Sequence, residues 1–112
     1  MAKSKNNLFE SKETSISEIA KSLAHPARVQ ILKLLLIKSP QNCSSIVEQI
    51  PLAQATVSQH LAALKFSGLL TDKKEGNMVL YSADRDLCIK AHRLFSDLFV
   101  GHLKDGKQQK LF

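Results

Sequence analysis

The segment PARVQILKLLLIK, residues 26–38, constrains the fold more than any other part of the chain. It carries Val29, Ile31, Leu32, Leu34, Leu35, Leu36 and Ile37, so apolar side chains leave a helix on most sides. Such a helix is expected at the centre of a domain, buried by several neighbours. Pro26 suits a first helical turn, and the residue before a proline disfavours helix, so any preceding helix should stop at or before His25. The chain must therefore supply other amphipathic elements to cover this one.

It does so on both sides. Upstream, Ile16, Ile19, Ala20 and Leu23 recur at i, i+3, i+4 and i+7, which predicts an amphipathic helix with Ser15 and Glu18 as a capping box. Downstream, SPQNC reads as a loop, and SSIVEQI as a short helix with Ile46, Val47 and Ile50 inward, capped by Ser44 or Ser45 and ended by Pro51. After a tight turn, AQATVSQHLAALKFSGLL places Val57, Leu61 and Leu64 on one stripe, and Gly68 suits the stop. Glu75-Gly76-Asn77 separates two extended runs, predicting a hairpin from about Leu70 to Ala83. A last helix, DRDLCIKAHRLFSDLFVGHLK, gathers Leu87, Ala91, Leu94, Phe95, Leu98 and Phe99 on one broad face. One domain over residues 14–103 is expected, with flexible tails at 1–13 and 104–112.

Composition narrows the function classes. With 112 residues the chain can bury a core without staples, and 44% hydrophobic with 23% charged residues is ordinary for a soluble globular protein. No apolar run approaches the roughly 18 residues of a membrane span, and the N-terminus lacks the apolar stretch of a secretory signal, so no membrane partner and a cytoplasmic location are expected. Sixteen Lys and Arg against ten Asp and Glu give a net charge of +6, which suits a polyanionic partner. Lys3, Lys5, Lys12, Lys104, Lys107 and Lys110 sit in the tails, however. There is no glycine-rich phosphate loop, and the four histidines are scattered, so no enzyme is expected.

A short helix, a tight turn and an amphipathic helix form the helix-turn-helix order, and a basic hairpin behind them is a wing. Opposite Val57, Leu61 and Leu64 lie Ala55, Gln59, Ala62, Ala63 and Phe66, with Thr56 and Ser58 on the shoulders. Small alanines permit close approach to a groove floor. Gln59 can offer a donor and an acceptor to adenine, and Ser58 and Thr56 can bond bases or phosphates. Gln54 and Thr56 are placed for phosphate contact beside the free N–H groups of the helix start. Lys73, Lys74 and Asn77 of the wing can follow a phosphate backbone. Lys65 can do so too, or interact with the helix dipole. His60 lies on the flank, in reach of a phosphate or partly buried as a structural residue. Arg28 can bind phosphate, or pair internally with a carboxylate, the role favoured here.

LAHPARVQILKLL, LAQATVSQHLAALKFSGLL and EGNMVLYS together resemble the ArsR/SmtB-type winged-helix repressors, over roughly Ile16 to Leu98. The shared pattern is Pro26-x-Arg28, Thr56-Val57-Ser58-x-His60-Leu61, Gly68-Leu69 and Gly76 with Tyr81. The resemblance implies a mainly helical winged helix-turn-helix with elements in the order α-α-α-α-β-β-α. It also implies a homodimer joined through the first and last helices, bound to double-stranded DNA with dyad symmetry. The wide apolar face of the last helix fits this, and the expected interface is Ile16, Ile19, Leu94, Phe95, Leu98 and Phe99. Many members of that family bind a metal. Their cysteine positions fall here on Asn42 and Ser44, and their last-helix ligands on Arg85, Leu87, Leu98 and Gly101, none of them suitable ligands. His92 and His102 are ten residues apart and do not share a face closely. No metal or other cofactor is therefore expected. Cys43 and Cys88 remain either a redox pair, as in thiol-sensing relatives, or small buried hydrophobes. The reading is a DNA-binding repressor with an unidentified effector; the alternatives are a thiol-responsive form of it and a winged-helix module that binds protein.

Overall fold

The computed structural model describes residues 8–103. The elements are α1 (Ser11–Ser22), α2 (Pro26–Ile37), β1 (Gln41–Asn42), α3 (Cys43–Val47), α4 (Gln54–Phe66), β2 (Leu70–Glu75), β3 (Met78–Ala83) and α5 (Arg85–Phe99). This is the expected winged helix-turn-helix with one strand added. The outer parts of the expected tails, 1–7 and 104–112, lie outside the described residues.

α1 starts earlier than its apolar pattern suggests. The Glu10 N–H donates to the Glu13 carboxylate at 3.3 Å, so the cap forms at Glu10 and the pairing of Ser15 with Glu18 is not used. Residues 11–13, expected in the tail, are its first turn. α2 starts at Pro26 as expected, and His25 caps it: the Ala27 N–H donates to His25 Nδ1 at 3.0 Å. The loop expected at SPQNC contains β1, which pairs antiparallel with β3 through Gln41↔Tyr81 and Asn42↔Leu80. Hydropathy cannot reveal a two-residue strand. α3 is capped by Asn42, whose Oδ1 accepts from the Ser45 N–H at 2.8 Å, rather than by Ser44 or Ser45.

The core is a single cluster. Ile31 and Leu35 of α2, Ile46 of α3, Val57, Leu61 and Leu64 of α4, Leu69 before the hairpin and Leu70 at its start are all essentially inaccessible. Burying each such side chain contributes roughly 1.5–3 kcal/mol relative to leaving it in water. α2 is central but not enclosed. It packs on α4 and β3, while Val29 stands exposed and Ile37 is 72% exposed. Its apolar residues outnumber the surfaces that one chain provides to cover them.

The sheet order is β1-β3-β2, all antiparallel. β2 and β3 pair from Leu70↔Ala83 to Glu75↔Met78, leaving Gly76 and Asn77 as the turn. Gly76 has φ +60°, which the first position of a type II′ hairpin turn requires. Gly68 joins α4 to β2 at φ +87°, and a Cβ there would lie 2.9 Å from Leu87 Cδ2, so the side-chain-free turn lets α5 lie against it. Asp84 starts α5: its carboxylate accepts from the Leu87 N–H at 3.0 Å, and its own N–H donates to the Leu69 carbonyl at 2.9 Å.

Candidate nucleic-acid interface

α3 and α4 are fixed by a polar network as well as by the core. Gln41 is buried and fully engaged: its Nε2 donates to the Lys38 carbonyl at 2.8 Å, and its Oε1 accepts from Ser45 Oγ at 2.9 Å and Gln49 Nε2 at 2.8 Å. Asn42 adds a link to the wing, its Nδ2 lying 3.5 Å from Met78 Sδ. The short first helix of the motif is thereby tied to both β3 and the hairpin.

α4 has the two faces expected of it, except that Ala63, expected outward, is half-buried. Val57, Leu61 and Leu64 point into the core, and Gln54, Ala55, Ser58, Gln59 and Ala62 are exposed. Thr56 is half-buried, and Phe66 is 91% exposed at the helix end. Cys43 Sγ lies 3.7 Å from Ser58 Oγ, at the seam between α3 and α4.

Two expected contact residues are engaged elsewhere. His60 is only 8% exposed, and Arg28 Nε donates to its Nδ1 at 3.1 Å while the His25 ring lies with its centroid 4.5 Å away. The helix rotation that brings Leu61 and Leu64 into the core carries His60 inward with them, into the partly buried position that was the structural alternative for it. Arg28 is internal, as favoured, but its partners are His60 and, at 3.5 Å, the Ser22 carbonyl rather than a carboxylate. Burial, then electrostatic interaction with the neighbouring His25 and Arg28, hold the His60 pKa below its usual value. Lys65 Nζ bonds Asp72 Oδ2 at 2.8 Å, a solvent-exposed pair that links the end of α4 to β2. The hydrogen bond to Asp72, and its charge, raise the Lys65 pKa.

The wing projects from the body. After buried Leu70, every residue of β2 is exposed. Lys73 and Lys74 stand on opposite faces of the strand, and Asn77 is exposed in the turn. Lys73 approaches Glu75 at 3.9 Å, a loose and solvated pair.

The apolar face of α5 is divided. Ala91 is buried; Leu87, Leu94 and Phe95 are half-buried against the core; Leu98 and Phe99 are exposed, Phe99 by 61%. The rings of Phe95 and Phe99 lie 5.9 Å apart. Ile16 of α1 is half-buried, but Ile19 is 5% exposed and belongs to this chain's own core, so it is removed from the expected interface. Helical spacing marks Ile19 as inward without showing which chain covers it. Leu8, Phe9, Ile89 and Val100 are further exposed apolar residues that periodicity did not single out.

The positions of the metal ligands implied by the resemblance are occupied by other chemistry. Asn42 caps α3, and Arg85 donates to the Leu36 carbonyl at 3.0 Å. Neither donor set fits a metal. Among the described residues, no group of three or more His, Cys, Asp or Glu could hold an ion. Cys43 and Cys88 are both half-buried free thiols, and burial, then the Asp84 charge, raise the Cys88 pKa. No helix among the described residues is long and apolar enough to cross a membrane.

Comparison with known proteins agrees with this geometry. The profile of bacterial regulatory proteins of the arsR family matches residues 25–72, from the start of α2 into β2. An uncharacterised HTH-type transcriptional regulator of Mycobacterium tuberculosis is 33% identical over 66 residues; the match spans 59% of this chain and 58% of that protein, under two thirds of its length. Another from Methanocaldococcus jannaschii is 35% identical over 65 residues, 58% of this chain and 73% of that one. The solution structure of a homodimeric winged helix-turn-helix DNA-binding domain from Mycobacterium bovis, a possible ArsR-family regulator, superposes with a TM-score of 0.66 over 93% of this chain and 94% of that one at 24% identity, a likeness of fold. With α3, α4 and the wing assembled in one unit and the matched sequence running through α3 and α4 into the first strand of the wing, the chain belongs to the arsR family of bacterial regulatory proteins.

Proposed function

We propose that this chain is a sequence-specific transcriptional repressor that binds dyad-symmetric double-stranded DNA as a homodimer in the cytoplasm, without a metal or other cofactor. One observation carries the reading: the exposed face of α4 is small and polar, with Gln54, Ser58 and Gln59 outward, while the opposite face is wholly buried. A helix held so firmly on one side can offer the other to a major groove without distortion. Gln59 would read a base edge, Ser58 and Thr56 bases or phosphates, and Gln54 a phosphate near the helix start. Lys73, Lys74 and Asn77 would follow the backbone beside the groove.

The dimer supplies the dyad. Leu98 and Phe99 of α5 expose apolar surface beyond what α1 covers, and a second copy would cover it, together with Ile16, Leu94 and Phe95. Two copies of α4 would then enter successive major grooves about 34 Å apart, and their charges would add. The homodimeric M. bovis domain of the same fold supports this arrangement. The rival is a winged-helix module that docks protein, for which exposed Phe66 is the favouring residue. The thiol-responsive form of the repressor would use Cys43 and Cys88; the raised thiol pKa of Cys88 counts against it, because the thiolate is the reacting form.

Selection of duplexes from a random pool, followed by gel shifts across a salt series, tests the reading. An enriched sequence bound with steep salt dependence is expected. A pool with no enrichment even in dilute buffer, or binding by a strict monomer, would refute it.

A further inference from the structure

The least expected contact in the chain joins α2 to α4 by polar means. Arginine can only donate, so the 3.1 Å contact from Arg28 Nε requires His60 Nδ1 to carry no proton. His60 is buried on the recognition helix, and Arg28 is itself held by the Ser22 carbonyl at the end of α1. The pair therefore fixes how far α4 is rotated against α2 and α1, in the middle of the helix that carries Gln59. A proton on His60 would set two donors and two like charges against each other at that contact. His25 lies on the other side, so no carboxylate there would compensate.

We propose that Arg28 and His60 are positioning residues that set α4 for reading DNA, and that a proton taken up by His60 releases it. This rests on the DNA-binding reading above. The charged groups around the pair are identified. From α2 and its cap come Arg28 and the titratable His25, the two groups that act electrostatically on His60. From α1, Glu18 and Lys21 line with Arg28 a groove of about 500 Å³, where Glu18 can receive the released guanidinium. From α3, Cys43 faces Ser58, and from β2, Asp72 is held by Lys65. His60 is harder to protonate in the fold than in the unfolded chain, so the unfolded chain binds the extra proton. The contribution of the pair is present above the usual histidine value of 6.5 and is lost as pH falls below it.

The expected effect opposes general electrostatics. Acid adds positive charge, which tightens binding to any duplex. Release of α4 would instead weaken binding to a sequence read by base contacts. A duplex selected from a random pool at about pH 8 and an unselected duplex are each titrated at about pH 8 and about pH 5.5, which span the histidine range. The ratio of the two affinities is expected to fall at least about tenfold in acid, the scale of losing a charge-assisted hydrogen bond. His60→Asn places an amide oxygen near Nδ1 that accepts from Arg28 but does not titrate, so its ratio should stay constant. His25→Asn keeps a capping oxygen and should behave as the parent.

A parent ratio that does not change with pH, or a His60→Asn ratio that falls as far as the parent's, overturns the proposal. NMR titration of the parent needs no variant: the His60 ring and the α4 amides should shift with one midpoint, and a ring that stays neutral while specificity is lost also overturns it. Failure of the pool to yield any enriched duplex defeats the DNA-binding reading itself, whereas enrichment with a pH-independent ratio defeats only the positioning pair.

Discussion

Replacing Lys73 and Lys74 together by alanine removes the basic part of the wing without touching the core, because both side chains are exposed. Each phosphate neutralised contributes about 0.9 to the slope of log affinity against log salt. If both lysines of both protomers meet phosphate, four contacts are lost and the slope flattens by about 3.6. Over a fourfold rise in salt, from about 50 to about 200 mM, the parent should then lose about 150-fold more affinity than the variant. The structure also ranks the two residues. Lys73 lies 3.9 Å from Glu75 and is partly neutralised before any DNA arrives, whereas no ion pair engages Lys74 among the described residues. Lys74→Ala should therefore take the larger share, and if Lys74 acts alone the slope flattens by only about 1.8. A different role for these lysines is available from the fold. β2 is an edge strand, and lysines blunt edges against pairing with other chains. Gel shifts or anisotropy titrations across the salt series separate the roles. Parallel lines for parent and double variant at every salt would refute the wing contact and leave edge protection as the role of the pair.

Three further outcomes test other levels of the argument. Gln59→Ala should leave thermal unfolding nearly unchanged but cost about 1–3 kcal/mol of discrimination at the base it reads; recovery of the same consensus from a random pool would refute its reading role. Leu98→Glu with Phe99→Glu should convert a dimer to a folded monomer, since both residues are exposed in the single chain; an unchanged sedimentation coefficient would place the dimer contact elsewhere. Leu61→Ala, at a fully buried position, should lower stability by about 2–5 kcal/mol in urea unfolding at fixed protein concentration; a loss under about 1 kcal/mol would mean α4 is not anchored as described.

Much of the fold was legible because it depends on spacing. Val57, Leu61 and Leu64 repeat at helical intervals and all enter the core. Glu75-Gly76-Asn77 marks a turn because glycine alone takes the φ of +60° readily, and the hairpin pairs about it from Leu70 to Ala83. Spacing stops short of two questions. It shows that a residue faces inward, not whose surface covers it, so Ile19 was assigned to a partner although its own chain encloses it. It shows that a helix is apolar, not how many neighbours reach it, so α2 was expected to be enclosed although Ile37 is exposed. β1 escaped because two residues carry no period.

The candidate site divides along the same line. Which residues of α4 face outward follows largely from the apolar stripe: Ala55, Gln59, Ala62 and Phe66 are exposed as it predicts, whereas Ala63 is half-buried. How accurately that face is aimed does not follow from the stripe. Leu61 and Leu64 could remain buried through a modest rotation of the helix, because apolar contacts are not directional. Polar contacts are directional, and a buried one limits that freedom more than an exposed one. Arg28 to His60 ties the middle of α4 to α2 at a buried position, and the exposed pair of Lys65 and Asp72 links its end to β2. Both join residues on different elements, the first across 32 positions of sequence. Neither leaves a periodic trace, so spacing alone leaves His60 open between a phosphate contact and a structural role, and Lys65 between a phosphate and the helix dipole. A base-reading side chain such as Gln59 needs a helix whose rotation is set before the groove is met, and the buried Arg28–His60 contact contributes to that setting.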